Sequence, residues 1–144
     1  MALFRVGNML DVYDEATRFI VLLSSQLDNG QAIMKGGVAA ELVERMPEAQ
    51  LPNIIGVWLQ DNGGHGGIFG MSKVGKIGVI QDRYMHAESM NLHCVGTSLM
   101  MLGWQAEAQP DWQFHVEQMG QGEPYWLIKD LLQRLPDNVT FWSK

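Results

Sequence analysis

The stretch FIVLLSSQLDNGQAIMKGGVAAELVERMP, residues 19–47, decides the fold. Phe19 to Ser24 is a short, continuous apolar run, which suits a strand buried on both faces. A glycine-bearing loop follows, Ser25 to Gly37. Val38, Leu42 and Met46 then recur every fourth residue with Ala39 and Val43 beside them, the spacing of one buried helical face. Pro47 stops that helix.

The same reading extends to both ends. Phe4–Val6, Ile54–Leu59, Lys76–Gln81, Trp112–Val116 and Val139–Trp142 read as further strands. Ser89–Leu102 reads as the longest helix, with Leu92, Val95, Leu99 and Leu102 as its stripe and Gly103 as its C-cap. Pro124–Leu135 reads as another, with Leu127, Ile128, Leu131, Leu132 and Leu135 inward. Strands interleaved with helices predict one α/β domain over residues 1–144, with helices on both faces of a mixed sheet of about six strands.

Composition bounds the function. A chain of 144 residues buries roughly 68–70% of its unfolded surface, so it builds a core without staples. Cys94 is the single cysteine, so no internal disulfide forms and a reducing compartment is expected. No apolar run reaches the ~18 residues of a membrane span, and Met1 to Asp11 lacks a signal peptide's features. The expectation is therefore cytoplasmic, with no membrane partner. A net charge of −6 argues against nucleic-acid binding, which needs a basic footprint. It leaves room for one small anion held by backbone N–H groups.

Two glycine-bearing turns lead directly into helices, Lys35-Gly36-Gly37-Val38-Ala39 and Gly120-Gln121-Gly122-Glu123-Pro124. Each leaves free N–H groups where the helix macrodipole favours negative charge. On one sheet edge, the pair would suit the two phosphates of a pyrophosphate. Neither is a Walker A loop or a GxGxxG fingerprint. His93 and Cys94 are neighbours whose helical side chains point apart, and no HExxH or CxxC occurs, so neither a metal site nor a bound cofactor is expected. Asn29-Gly30 also reads as an ordinary tight turn, and Asn8 as a turn cap.

Asn29 to Ala39 resembles the first ligand loop of macrodomains, where an asparagine runs into a glycine-rich turn and a helix opening on small apolar residues. Phe4-Arg5-Val6-Gly7-Asn8-Met9 resembles that family's opening strand and Gly-Asp-Ile turn, and Phe114 to Trp142 its last strand, GxG turn, helix and strand. The resemblance is greatest to the short, divergent macrodomain-like proteins of bacteriophages. It implies a three-layer α/β/α fold that holds ADP-ribose or a related nucleotide at the strand ends. It places Asn8 by the adenine, Asn29 by the distal ribose, Gly36, Gly37 and Val38 at the diphosphate, and Gly120, Gln121 and Gly122 at the second phosphate loop. Tyr125, beside that loop, is the best stacking aromatic. In a hydrolytic version of the cleft, Asn29 would orient the ribose and a water, with Glu123 or Asp82 as base. Departures are a shortened second loop, Gln26 where asparagine is usual, and Gln81-Asp82 where some members carry a lysine. A homo-oligomer, or an interaction protein that kept the fold and lost the pocket, is the third reading, suggested by ten methionines and five tryptophans.

Overall fold

The computed structural model describes residues 1–62, 75–119 and 125–144. In chain order the elements are β1 (Leu3–Val6), β2 (Arg18–Ser24), β3 (Leu27–Asp28), β4 (Gln31–Ala32), α1 (Gly37–Arg45), α2 (Leu51–Asn62), β5 (Ile77–Arg83), α3 (Leu92–Ala108), β6 (Phe114–Glu117), α4 (Tyr125–Gln133) and β7 (Val139–Ser143). One sheet runs in the order β1-β7-β6-β2-β5, with all its pairings parallel. β3 and β4 form a separate antiparallel hairpin.

Period-two alternation sorts the sheet's side chains into two cores. Phe19, Val21 and Leu23 of β2 pack with Val38 and Leu42 of α1 and Leu51, Ile55 and Leu59 of α2. Ile20 of β2 faces the other way, with Phe114, Val116 and Phe141, against Val95, Leu99 and Leu102 of α3 and Ile128 and Leu132 of α4. The result is three layers. Each fully buried Leu, Ile or Phe contributes about 1.5–3 kcal/mol, so both cores are needed to hold helices to a sheet this small.

Several sequence expectations need correcting. Ile54–Leu59 lies inside helix α2, so among the described residues the sheet has five strands, all paired in parallel. The buried residues of α2 are Leu51, Ile55 and Leu59, a spacing of four that only a helix turns to one side. α3 starts at Leu92, because the Asn91 side chain caps it by accepting from the Cys94 N–H at 3.1 Å. The helix runs past Gly103, which is a contact point with Leu135 at the end of α4. Leu92, Leu127 and Leu131 face outward, at 51%, 67% and 43% exposure.

Topology locates the functional edge. The chain leaves β2 toward α1 on one face and β6 toward α4 on the other. Ligands of open parallel sheets bind where adjacent strands part in this way, beyond their C-terminal ends.

Candidate ligand cleft

A cleft of about 170 Å³ opens at that place. Its base is Glu117, the last residue of β6, with Trp142 and Ser143 from β7 and the following Lys144. Its walls are the start of α1, Gly37 and Val38, and the turn after β1, Gly7 and Met9. Drug-sized ligands need ~300 Å³ or more, so this described part has room for only a portion of such a ligand.

Two glycines shape the walls. Gly7 has φ 151°, and its N–H extends the β1–β7 ladder to the Ser143 carbonyl at 2.8 Å before the chain turns away. Gly37 opens α1 with φ 60°, a left-handed value costly for other residues. A Cβ there would stand 3.1 Å from Glu117 Oε2. Gly36 precedes it as an extended N-cap that supplies no side-chain bond.

Glu117 was not singled out by the sequence. β6 pairs with β2 only as far as Ile20↔Val116, after which Glu117 aligns with Trp142 of β7. The Leu22 N–H that this divergence leaves donates to Glu117 Oε1 at 3.0 Å. Burial pushes the Glu117 carboxyl up to about 7, and nearby Asp82 adds to the rise. The backbone amides of Leu22 and Val38 and the Lys144 ammonium oppose it. Lys144 Nζ is itself 2.9 Å from Glu41 of α1. Beside Glu117, Trp142 Nε1 donates to His115 Nδ1 at 2.9 Å. That bond requires an unprotonated Nδ1, which fits a His115 pKa lowered by burial and by Arg5.

The remaining sequence candidates are dispersed. Asn8 lies on the rim between Gly7 and Met9, its Oδ1 accepting from the Leu10 N–H at 3.1 Å as a cap. Asn29 is exposed at the hairpin tip with φ 52°, followed by Gly30 at φ 79°, the two positive values of a tight hairpin turn. It does not line the cleft as described. Asp82 is buried on β5, its Oδ1 paired with the Arg83 guanidinium at 2.6 Å, and burial raises its pKa. Gly120, Gln121, Gly122, Glu123 and the Tyr125 side chain lie outside the described residues. No helix among the described residues is long and apolar enough to cross a membrane.

A second groove, about 280 Å³, runs between α3 and α4 on the opposite layer. Met100, Trp104 and Leu131 line it and are 50%, 62% and 43% exposed. Glu107 and Arg134 also line it.

No family model and no curated protein matches the sequence. Solved structures do match the fold. The macrodomain of Thermus aquaticus DarG is 15% identical with a TM-score of 0.68, covering 100% of this chain and 98% of its own. The macrodomain of Mycobacterium tuberculosis DarG is 14% identical with a TM-score of 0.67, over the same shares. Thermosipho africanus DarTG in complex with ADP-ribose is 11% identical with a TM-score of 0.62, over 88% of this chain and 38% of that one. Five parallel strands between two helical layers, matched end to end at such low identity, make this chain a divergent macrodomain-like protein in fold.

Proposed function

We propose that the cleft beyond the ends of β6 and β7 binds ADP-ribose or a related nucleotide. The observation that carries this is the juxtaposition of the Gly37 start of α1, the Gly7 turn and the ends of β6 and β7 in one opening. The ADP-ribose complex of a protein with this fold supports it. Gly37 and Val38 face the diphosphate, and Asn8 sits on the rim where the adenine would lie. The cleft acts as a receptor rather than a hydrolase, because Asn29, the residue that would orient the ribose, projects from the hairpin tip.

The test is a thermal-shift screen with ADP-ribose, AMP and NAD, followed by amide mapping. Ligand at a hundred times its Kd stabilises by about 2.7 kcal/mol. A shift with ADP-ribose that moves the amides of Gly7, Gly37 and Val38 supports the reading. No shift with any of the three, or perturbations confined elsewhere, sinks it.

A second reading concerns assembly. The exposed Met100, Trp104 and Leu131, with one acid and one base at the same groove, suit a second copy of this chain packed about a twofold axis, each Glu107 opposite the other copy's Arg134. Sedimentation decides it: a strict monomer at high micromolar concentration refutes the dimer, and Trp104→Asp should dissociate one that forms.

A further inference from the structure

The start of α1 is where the proposed diphosphate would sit, and the protein has already put a carboxyl group there. Glu117 reaches from the end of β6 into the angle between β2 and α1. There its Oε1 takes the Leu22 N–H at 3.0 Å, and the Val38 amide also acts on the carboxyl. Its other oxygen fills the space over Gly37, within 3.1 Å of where a Cβ would project. The Val38 amide is a donor of the kind an incoming phosphate would use at a helix start, and the Leu22 amide of β2 points at the same carboxyl. Lys144 is a cation acting on the carboxyl, and it is already engaged by Glu41.

We propose that Glu117 determines what the cleft accepts, by holding from within the seat that a ligand phosphate would take at the start of α1. A phosphate and the Glu117 carboxylate compete for the same amides and repel each other at contact distance. In its resting form the cleft therefore favours ligand groups that donate hydrogen bonds to this corner, hydroxyl or amino groups, over phosphate. Phosphate enters only when the carboxylate swings out or is neutralised. This inference rests on the nucleotide reading above for the identity of the ligand, while the seat itself is defined by residues of this chain.

The experiment compares the wild type with Glu117→Gln, which keeps the shape and an acceptor oxygen for the amides and removes the charge. Calorimetry at pH 8 uses two probes, ADP-ribose and unphosphorylated adenosine. The expected result is ADP-ribose bound at least tenfold more tightly by E117Q, with adenosine affinity changed less than twofold. Equal or weaker ADP-ribose binding by E117Q overturns the proposal. If neither protein binds ADP-ribose, the nucleotide reading fails, and a titration with inorganic pyrophosphate still decides the seat. Movement of the Leu22 and Val38 amides in E117Q but not in the wild type upholds it; amides of E117Q that ignore pyrophosphate overturn it. Unchanged circular dichroism and cooperative unfolding of E117Q at pH 5 exclude misfolding as the cause of either result.

Discussion

Gly56→Ala ought to stabilise an ordinary helix, and here it should do the opposite. Gly56 lies inside α2, where alanine is intrinsically favoured by about 1 kcal/mol. A Cβ at Gly56 would come within 2.2 Å of the Gly30 carbonyl oxygen, 2.8 Å of Gln31 Cα and 3.0 Å of the Ala32 nitrogen. All three are backbone atoms of the β3–β4 hairpin, so no side chain can swing aside. The hairpin must retreat by about an ångström, unpacking the buried Ala32 and stretching the 2.7 Å bond from Gln31 Nε2 to Asn53 Oδ1. Overpacking of this kind costs about 1–3 kcal/mol, and rigid backbone on both sides places it near the top of that range. Subtracting the propensity gain leaves a loss of about 2 kcal/mol, or roughly 4–8 °C in Tm. Gly96→Ala in α3 is the matched control, because nothing lies within 4 Å of its Cβ position. It should gain up to about 1 kcal/mol. Urea unfolding of both variants provides the measurement. A Gly56→Ala protein as stable as the wild type would refute the close approach of helix and hairpin.

Glu117 makes stability fall with rising pH. Its carboxyl is raised to about 7 from an ordinary 4.5, so its contribution is full below pH 4.5 and lost as pH climbs through 7. The difference, at 1.36 kcal/mol per unit, is worth up to about 3 kcal/mol. Asp82, also raised by burial, adds to the fall at lower pH. Urea unfolding at pH 5 and pH 8 should show E117Q more stable than the wild type only at pH 8; an equal gain at both would contradict the assignment. Gly37→Ala combines a φ of 60° with a contact on Glu117, and should cost about 1–2 kcal/mol and abolish any ADP-ribose thermal shift. Asn138→Ala should lose about 2 kcal/mol in urea, because the buried Nδ2 donates to the Ala106 and Gln109 carbonyls at 3.1 and 3.0 Å and pins the end of α3.

How far the residues disclosed this arrangement depends on what each signal measures. Phe19–Ser24 was legible as a central strand, because an unbroken apolar run has few other uses at that length. Val38 and Leu42 were legible as a helix face through their spacing. Ile54–Leu59 misled because Ile-Ile-Gly-Val-Trp-Leu has β-branched composition and too few residues for its period to show; burial at Leu51, before its start, in step with Ile55 and Leu59, reveals the helix. Leu127 and Leu131 misled for another reason: apolar type alone does not say which side of a helix is covered, and α4 covers Ile128 and Leu132. At the cleft, Gly37 and Val38 carried a readable turn signal. Glu117 carried almost none, since its role arises where β6 leaves β2 and releases the Leu22 amide, and that divergence is a property of the sheet rather than of any local stretch.

The strand order has a consequence for how the chain is made. Among the described residues β1 pairs only with β7, Leu3 against Thr140 and Val6 against Ser143. During synthesis β1 therefore waits for β7, about 7–27 s at ordinary elongation rates. Through that interval Leu3, Phe4 and Val6 have no ladder to join, while β2 and β5 can already pair over a much shorter loop. The sheet should grow outward from β2 during synthesis, with the β1 edge sealed only once β7 has emerged. A nascent chain stalled before Val139 is then the species most exposed to chaperones and to pairing with the wrong edge.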